Sequence, residues 1–109
     1  MVEKKCLSML GLARKAGKLG SGEFQTEKNV KEKRAFLTII AEDASDNTKK
    51  KFYHMCDHYH IPVRTAFTMD KLGKATGTQM RSSVCVTDEG FACAILKLMD
   101  PPGMPEDHQ

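Results

Sequence analysis

The residues whose types and spacing could do chemistry gather first around a helix start. Gly22 stands just ahead of Glu23, Phe24 and Gln25, with Lys28 one to two turns further on. A glycine beside a helix N-terminus lets another backbone approach closely. The unpaired N–H groups of the first turn favour an anionic group such as phosphate. Lys28 is near enough to reach the same ligand, and Gln25 can complete a capping box if Gly22 holds the N-cap position. An ordinary capped helix with solvated lysines would show the same residues, so this stretch alone leaves anion binding and simple capping both open.

Other constellations point less far. His54 and His58 lie four apart on one helix and could ligate a metal only if Asp57 or His60 converged with them; two surface histidines beside a packed face are the simpler expectation, and no metal is expected. Glu42 and Asp43 at a strand end could bind magnesium or act as acid and base, but such sites usually draw carboxylates from several elements. Caps and turns explain this pair equally well. Asp88 and Glu89 belong at a helix start on dipole grounds. There is no Walker loop, no GxSxG and no nucleophile with its base, so neither an enzyme nor a cofactor is expected. The cysteines at 6, 56, 85 and 93 form no CxxC pair and sit inside apolar patterns. They read as small buried thiols in a reducing cytoplasm.

The chain that must position these residues is 109 residues long, 40% hydrophobic and 28% charged, as for one ordinary globular domain. No apolar run approaches the roughly 20 residues that span a bilayer, and no signal peptide is visible. A cytoplasmic protein without membrane contact is expected. The net charge of +3 is unevenly spread: residues 1–51 hold 12 Lys or Arg against 7 Asp or Glu, and residues 52–109 hold 5 against 7. A basic half suggests a polyanionic partner, nucleic acid among them.

Periodicity orders the elements. Lys4–Ala16 reads as a helix with Cys6, Met9, Leu10, Ala13 and Ala16 inward, Leu7 and Leu12 widening the stripe, and Gly17 ending it. A short strand or turn at 19–22 leads to a second helix over 23–33. Phe36–Ala41, apolar and β-branched without polar alternation, predicts a central strand buried on both faces. Ser45 or Asp46 then caps a helix with Phe52, Met55, Cys56 and Tyr59 on one side. Ile61–Phe67 predicts a strand, Thr68 caps a short helix stopped by Gly77, 77–82 is a loop, 83–87 a strand, and Asp88 caps the last helix with Phe91, Ala92, Ile95, Leu96 and Met99 inward. The sequence from Asp100 to Gln109, acidic and proline-rich, predicts a disordered tail after a single domain over 1–99. The alternation implies an α/β fold, a three-layer α/β/α sandwich with a central mixed four-stranded sheet.

The order of LGLARKAGKLGSG, GEFQTEK, IIAEDAS with DNTKKKF, IPV, DKLGKATG and RSSVCVTDEGFA, over roughly residues 5–97, resembles the ribosomal-protein family that binds kink-turn RNA, and most of all its small bacterial YlxQ-like branch. The resemblance implies a structured RNA partner, a kink-turn or ribosomal RNA, on or off the ribosome, bound by a monomer. It implies that a sharply bent internal loop lies against the second helix. The family motif Gly-x-Asn-Glu-x-x-Lys falls on Gly22, Phe24, Gln25 and Lys28, so glycine and lysine stand while asparagine and glutamate are replaced. Gln25 can still hydrogen-bond a base edge. Phe24 can only stack on a base or turn inward. The second family contact falls on the loop before the last strand, Gln79–Ser83, where Arg81 would meet phosphate and Met80 would pack against an extruded nucleotide. The implied RNA-binding residues are Gly22, Glu23, Phe24, Gln25, Lys28, Met80, Arg81, Ser82 and Ser83, with Lys31 or Lys74 at the margin. The rival readings are a protein-interaction module whose basic face docks an acidic partner, and a small enzyme using Glu42 and Asp43.

Overall fold

The computed structural model describes residues 2–100. Its elements are α1 (Val2–Lys15), β1 (Leu19–Ser21), α2 (Glu23–Lys31), β2 (Leu37–Ile40), α3 (Asp46–Tyr59), β3 (Val63–Thr65), α4 (Met69–Ala75), β4 (Ser83–Val86) and α5 (Glu89–Met99). Each of the three later helices with a polar cap uses it as expected. The side chains of Ser45, Thr68 and Asp88 accept from the amides of Thr48, Lys71 and Phe91, which satisfies one otherwise orphaned donor at each start.

The apolar run at 36–41 forms β2, buried along its whole length, and β4 is buried in the same way. These two strands are the interior of a mixed sheet ordered β1-β4-β2-β3, with β2 antiparallel to β4, β1 antiparallel to β4, and β3 parallel to β2. Register sorts their side chains. Leu37 and Ile39 face Val86 and Val84 across the ladder and join Leu10, Leu72, Ala92 and Ile95 of α1, α4 and α5 in the larger cluster. Thr38 faces Cys85, which packs with Val30 of α2 and Cys56 of α3 in a smaller one. Helices thus cover both sheet faces, the arrangement that β-branched strands without polar alternation demand.

The thin layer under α2 fixes how that helix sits. Only Thr26 and Val30 of α2 are buried. Beneath them Gly20 leaves no room for a side chain, since a β-carbon there would lie 2.7 Å from Asn29 Nδ2 and 2.9 Å from Cys85 Sγ. The helix therefore rides close on β1 and β4 and turns the rest of its circumference outward.

Several expectations change. Leu12 is exposed and does not widen the α1 stripe. Cys93 is exposed while Cys6, Cys56 and Cys85 are buried; α5 turns it outward beside buried Ala92. The second helix stops at Lys31, and Lys33 adopts a left-handed φ of 61°. The third strand is shorter than predicted because Phe67 bends away with φ 65° and gives its carbonyl to the Glu42 amide. Asp100, where the predicted tail begins, accepts from Nε and Nη2 of Arg64 on β3. The remainder of the predicted tail lies outside the described residues. Among the described residues no helix is long and apolar enough to cross a membrane.

Candidate functional site

The strand-to-helix junction at Gly22 is the start of the site. Gly22 is the N-cap of α2 with φ 91° and ψ 165°, a region that essentially only glycine enters. This conformation turns the chain from β1 into α2 within one residue. Its N–H donates to the Ser83 carbonyl at 2.9 Å, and so the amide that Gln25 would take in a capping box is already engaged. The box does not form. The N–H groups of Glu23, Phe24 and Gln25 remain without intrahelical acceptors, as in any first helical turn.

The loop between α4 and β4 is laid against this tip from the far end of the sequence. Its backbone is pinned by Arg81 N–H to the Met69 carbonyl at 3.1 Å and by Ala41 N–H to the Ser82 carbonyl at 2.9 Å. Arg81 then crosses to β1, where its Nε donates to Ser21 Oγ at 2.9 Å. The side chain lies over Gly22, with Cδ and Nε 3.6 and 3.7 Å from the place a β-carbon would take. Beside it Ser82 Oγ donates to Glu23 Oε2 at 3.0 Å, and Thr48 Oγ1 of α3 donates to the same oxygen at 3.3 Å. Glu23 therefore joins three segments, and its negative charge sits where the α2 dipole favours it.

The outward surface of this junction is mixed. Phe24 is 76% exposed and Met80 55%, and Gln25 and Lys28 are exposed as well. Phe24 and Lys28, four apart, share the face of α2 opposite Thr26 and Val30. Lys28 stands about 9 Å along the helix axis from Gly22, at 1.5 Å per residue. Among the described residues neither Lys28 nor Arg81 is within ion-pair distance of a carboxylate, whereas Lys31 and Lys51 both pair with Glu27, at 2.7 and 2.8 Å, and Lys74 pairs with Asp70 at 3.2 Å. Hydrogen bonds from Lys31 and Lys51 hold the Glu27 carboxyl down at about 2. The broad depression between α2 and α3, lined by Glu27, Lys31, Lys51, Tyr53, His54 and His58, is thus a surface whose cations include two already matched.

The residues singled out from the sequence divide accordingly. Gly22, Glu23, Arg81 and Ser82 are in mutual contact, Phe24, Gln25 and Lys28 follow on the same helix, and Met80 precedes Arg81. Ser83 differs: its side chain is fully buried in β4, and it meets the junction only through its carbonyl. Two participants were not anticipated, Ser21, which aims Arg81, and Thr48, which shares Glu23. They lie 60 and 25 residues from their partners, and no local signal marks either. The competing constellations have structural duties. Asp43 Oδ1 accepts from the Met69 amide at 2.9 Å and so braces the start of α4. His58 packs edge-on against Tyr59, ring centroids 4.8 Å apart. Among the described residues no three His, Cys, Asp or Glu side chains converge as metal ligands.

The chain is similar to known proteins in sequence and in fold. Residues 4–96 match the ribosomal protein L7Ae/L30e/S12e/Gadd45 family. The chain is 40% identical over 92 residues to the RNA-binding protein YlxQ of Bacillus subtilis, covering 84% of this chain and 92% of that one. It is 32% identical over 97 residues to the RNA-binding protein YlxQ of Enterococcus faecium, covering 89% and 93%. A protein of unknown function from Bacillus halodurans superposes with a TM-score of 0.84 at 40% identity, over 88% of this chain and 97% of the other. The 15.5kD RNA binding protein of Giardia lamblia has the same fold, with a TM-score of 0.75 at 17% identity, over 89% and 83%. A match over nearly all of the described residues, together with relatives of this identity, makes the chain a member of the ribosomal protein L7Ae/L30e/S12e/Gadd45 family.

Proposed function

We propose that this chain binds structured RNA, a kink-turn or a similarly bent internal loop, on the face where the tip of α2 meets the α4–β4 loop. The observation that carries the reading is Arg81: its Nε is fixed by Ser21 and its stem lies on Gly22, yet among the described residues no carboxylate neutralises it. A guanidinium held in place with donors still open suits a phosphate. Lys28 adds a second uncompensated charge, and Gln25 offers donors and an acceptor for a base edge. Gly22 gives close backbone approach. Glu23 and Ser82 hold the two segments together, Ser83 does so through its carbonyl, and Met80 offers an apolar contact. Compact, phosphate-rich bends are read largely by shape. The two relatives named RNA-binding proteins support the same reading.

The protein acts as a cytoplasmic monomer, a binding protein and not an enzyme, free or on ribosomal RNA. Of its exposed large apolar side chains, Phe24 and Met80 lie at the junction proposed for RNA, and Val2, Leu12, Phe36 and Tyr53 come from other segments. Asp43, one of the two carboxylates of the rival enzyme reading, is engaged by the Met69 amide. Titrating a kink-turn RNA against its straight duplex counterpart at several salt concentrations tests the proposal. Preference for the bent RNA is expected. Equal, weak binding of both would overturn it and favour docking of an acidic protein on the basic face.

A further inference from the structure

We infer that Phe24 is a stacking platform for one unpaired nucleobase, so that the RNA this site accepts must present an unstacked nucleotide beside the bend. The inference rests on the RNA-binding reading above and adds the feature of the ligand that this chain selects. A phenylalanine in this position had two courses, to turn inward or to stay out. It stays out, 76% exposed, on the face of α2 away from Thr26 and Val30, which are the helix's buried residues.

What could cover such a ring is narrowed by its surroundings. A protein partner would require a continuous apolar patch, but the α2 residues around Phe24 are Glu23, Gln25, Glu27 and Lys28. On α2 this one flat apolar ring is framed by polar and cationic groups, with Met80 of the α4–β4 loop the other exposed apolar side chain of the junction. Such a frame matches a planar aromatic with polar edges and an anionic tether. That is the chemistry of a nucleotide. Lys28, one turn along the same face and without a carboxylate partner among the described residues, can meet its phosphate. Gln25 is adjacent for its edge. Bases inside a duplex have both faces covered by their neighbours, so only an unpaired one can lie on the ring.

The test uses the full chain and kink-turn RNAs in which each unpaired position carries 2-aminopurine in turn. Binding of the wild-type protein should change the fluorescence of one position. Phe24→Ala and Phe24→Leu should abolish that change and weaken binding roughly 5- to 100-fold, the range of one lost base–aromatic stack. Phe24→Tyr should preserve both. The leucine variant matters because it keeps apolar bulk and removes the π face. The salt slope should be unaltered in all three, because stacking releases no counterions. Wild-type affinity in Phe24→Leu, or a probe silent at every position, would overturn the inference while RNA binding stands. Failure of the wild-type chain to prefer bent RNA would overturn both.

Discussion

The Gln79 carbonyl rests on Gly73 so closely that a β-carbon at 73 would overlap it. The Thr78 amide donates to the Gly73 carbonyl at 2.8 Å, and Thr76 Oγ1 donates to it at 3.2 Å. The loop carrying Met80 and Arg81 is thereby folded back on the α4 backbone, and the bare side of one buried glycine permits it.

Gly73→Ala therefore reverses the usual rule. Alanine inside a helix ordinarily stabilises it by about 0.5–1 kcal/mol relative to glycine. Here the added methyl must push residues 79–80 aside, and overpacking of this kind costs roughly 1–3 kcal/mol. A lower denaturation midpoint with weaker RNA binding is expected, although residue 73 is buried and cannot touch a ligand. A more stable alanine variant would show that the loop is not pinned there.

At Gly22 the same substitution acts through the backbone. A β-carbon would sit 3.6 Å from Arg81 Cδ, an ordinary contact, so sterics with arginine are not the obstacle. The φ of 91° with ψ of 165° lies in a region that essentially only glycine enters, and holding an alanine there costs roughly 1–3 kcal/mol. Gly22→Ala should lower thermal stability by that order and shift the Arg81 Nε–H resonance as the tip reorients. An unmoved resonance together with an unchanged melting temperature would contradict this account of the junction.

Charge and aim can be separated at the proposed RNA face. Lys28→Ala should weaken binding and reduce the slope of log affinity against log salt by about one unit, as loss of one phosphate contact does. Ser21→Ala leaves every charge in place and frees only the Arg81 Nε–H, so the slope should persist while affinity falls by about 1 kcal/mol or less. If Ser21→Ala flattened the slope, Arg81 would have swung away from the phosphate altogether, and the role assigned to Ser21 would need revision.

These relationships mark the limit of what was legible in the chain. The strand at 36–41, the helix faces and the caps Ser45, Thr68 and Asp88 are local patterns, and local patterns survive folding because a cap and its target amide are neighbours in sequence. The family resemblance pointed to Gly22 and Lys28 through its motif and to Arg81 through its second contact loop, but not to their surroundings. Arg81 reaches Ser21 across 60 residues and Ser82 reaches Glu23 across 59, and only the pairing of β4 with β1 creates those contacts. Periodicity was also silent on Phe24, and it placed Cys93 among the buried thiols although the residue is exposed. Each stands near an apolar stripe, and the outcome depends on how closely its helix approaches the sheet: α2 has a narrow seat over Gly20, and α5 buries Ala92 but not its neighbour.

The thiols provide a check on that packing. Cys93 is exposed and Cys6, Cys56 and Cys85 are buried, so an aromatic disulfide reagent should label one thiol of the native chain quickly and the other three only as the fold opens. Burial pushes the Cys85 thiol up to about 11 from 9.0 and also raises Cys6 and Cys56. In the unfolded chain Cys85 gives up its proton near 9.0, whereas the folded chain keeps it until about 11. Across that window the unfolded state binds fewer protons, and stability must fall as pH rises. The contribution of this thiol is complete below the unfolded value and gone above the folded one. Cys85→Ala should be less stable at neutral pH because it leaves a small void, yet its stability should decline less steeply over the alkaline range. Denaturation midpoints measured across that range decide the matter, and an equal decline in variant and wild type would assign the alkaline loss to another group.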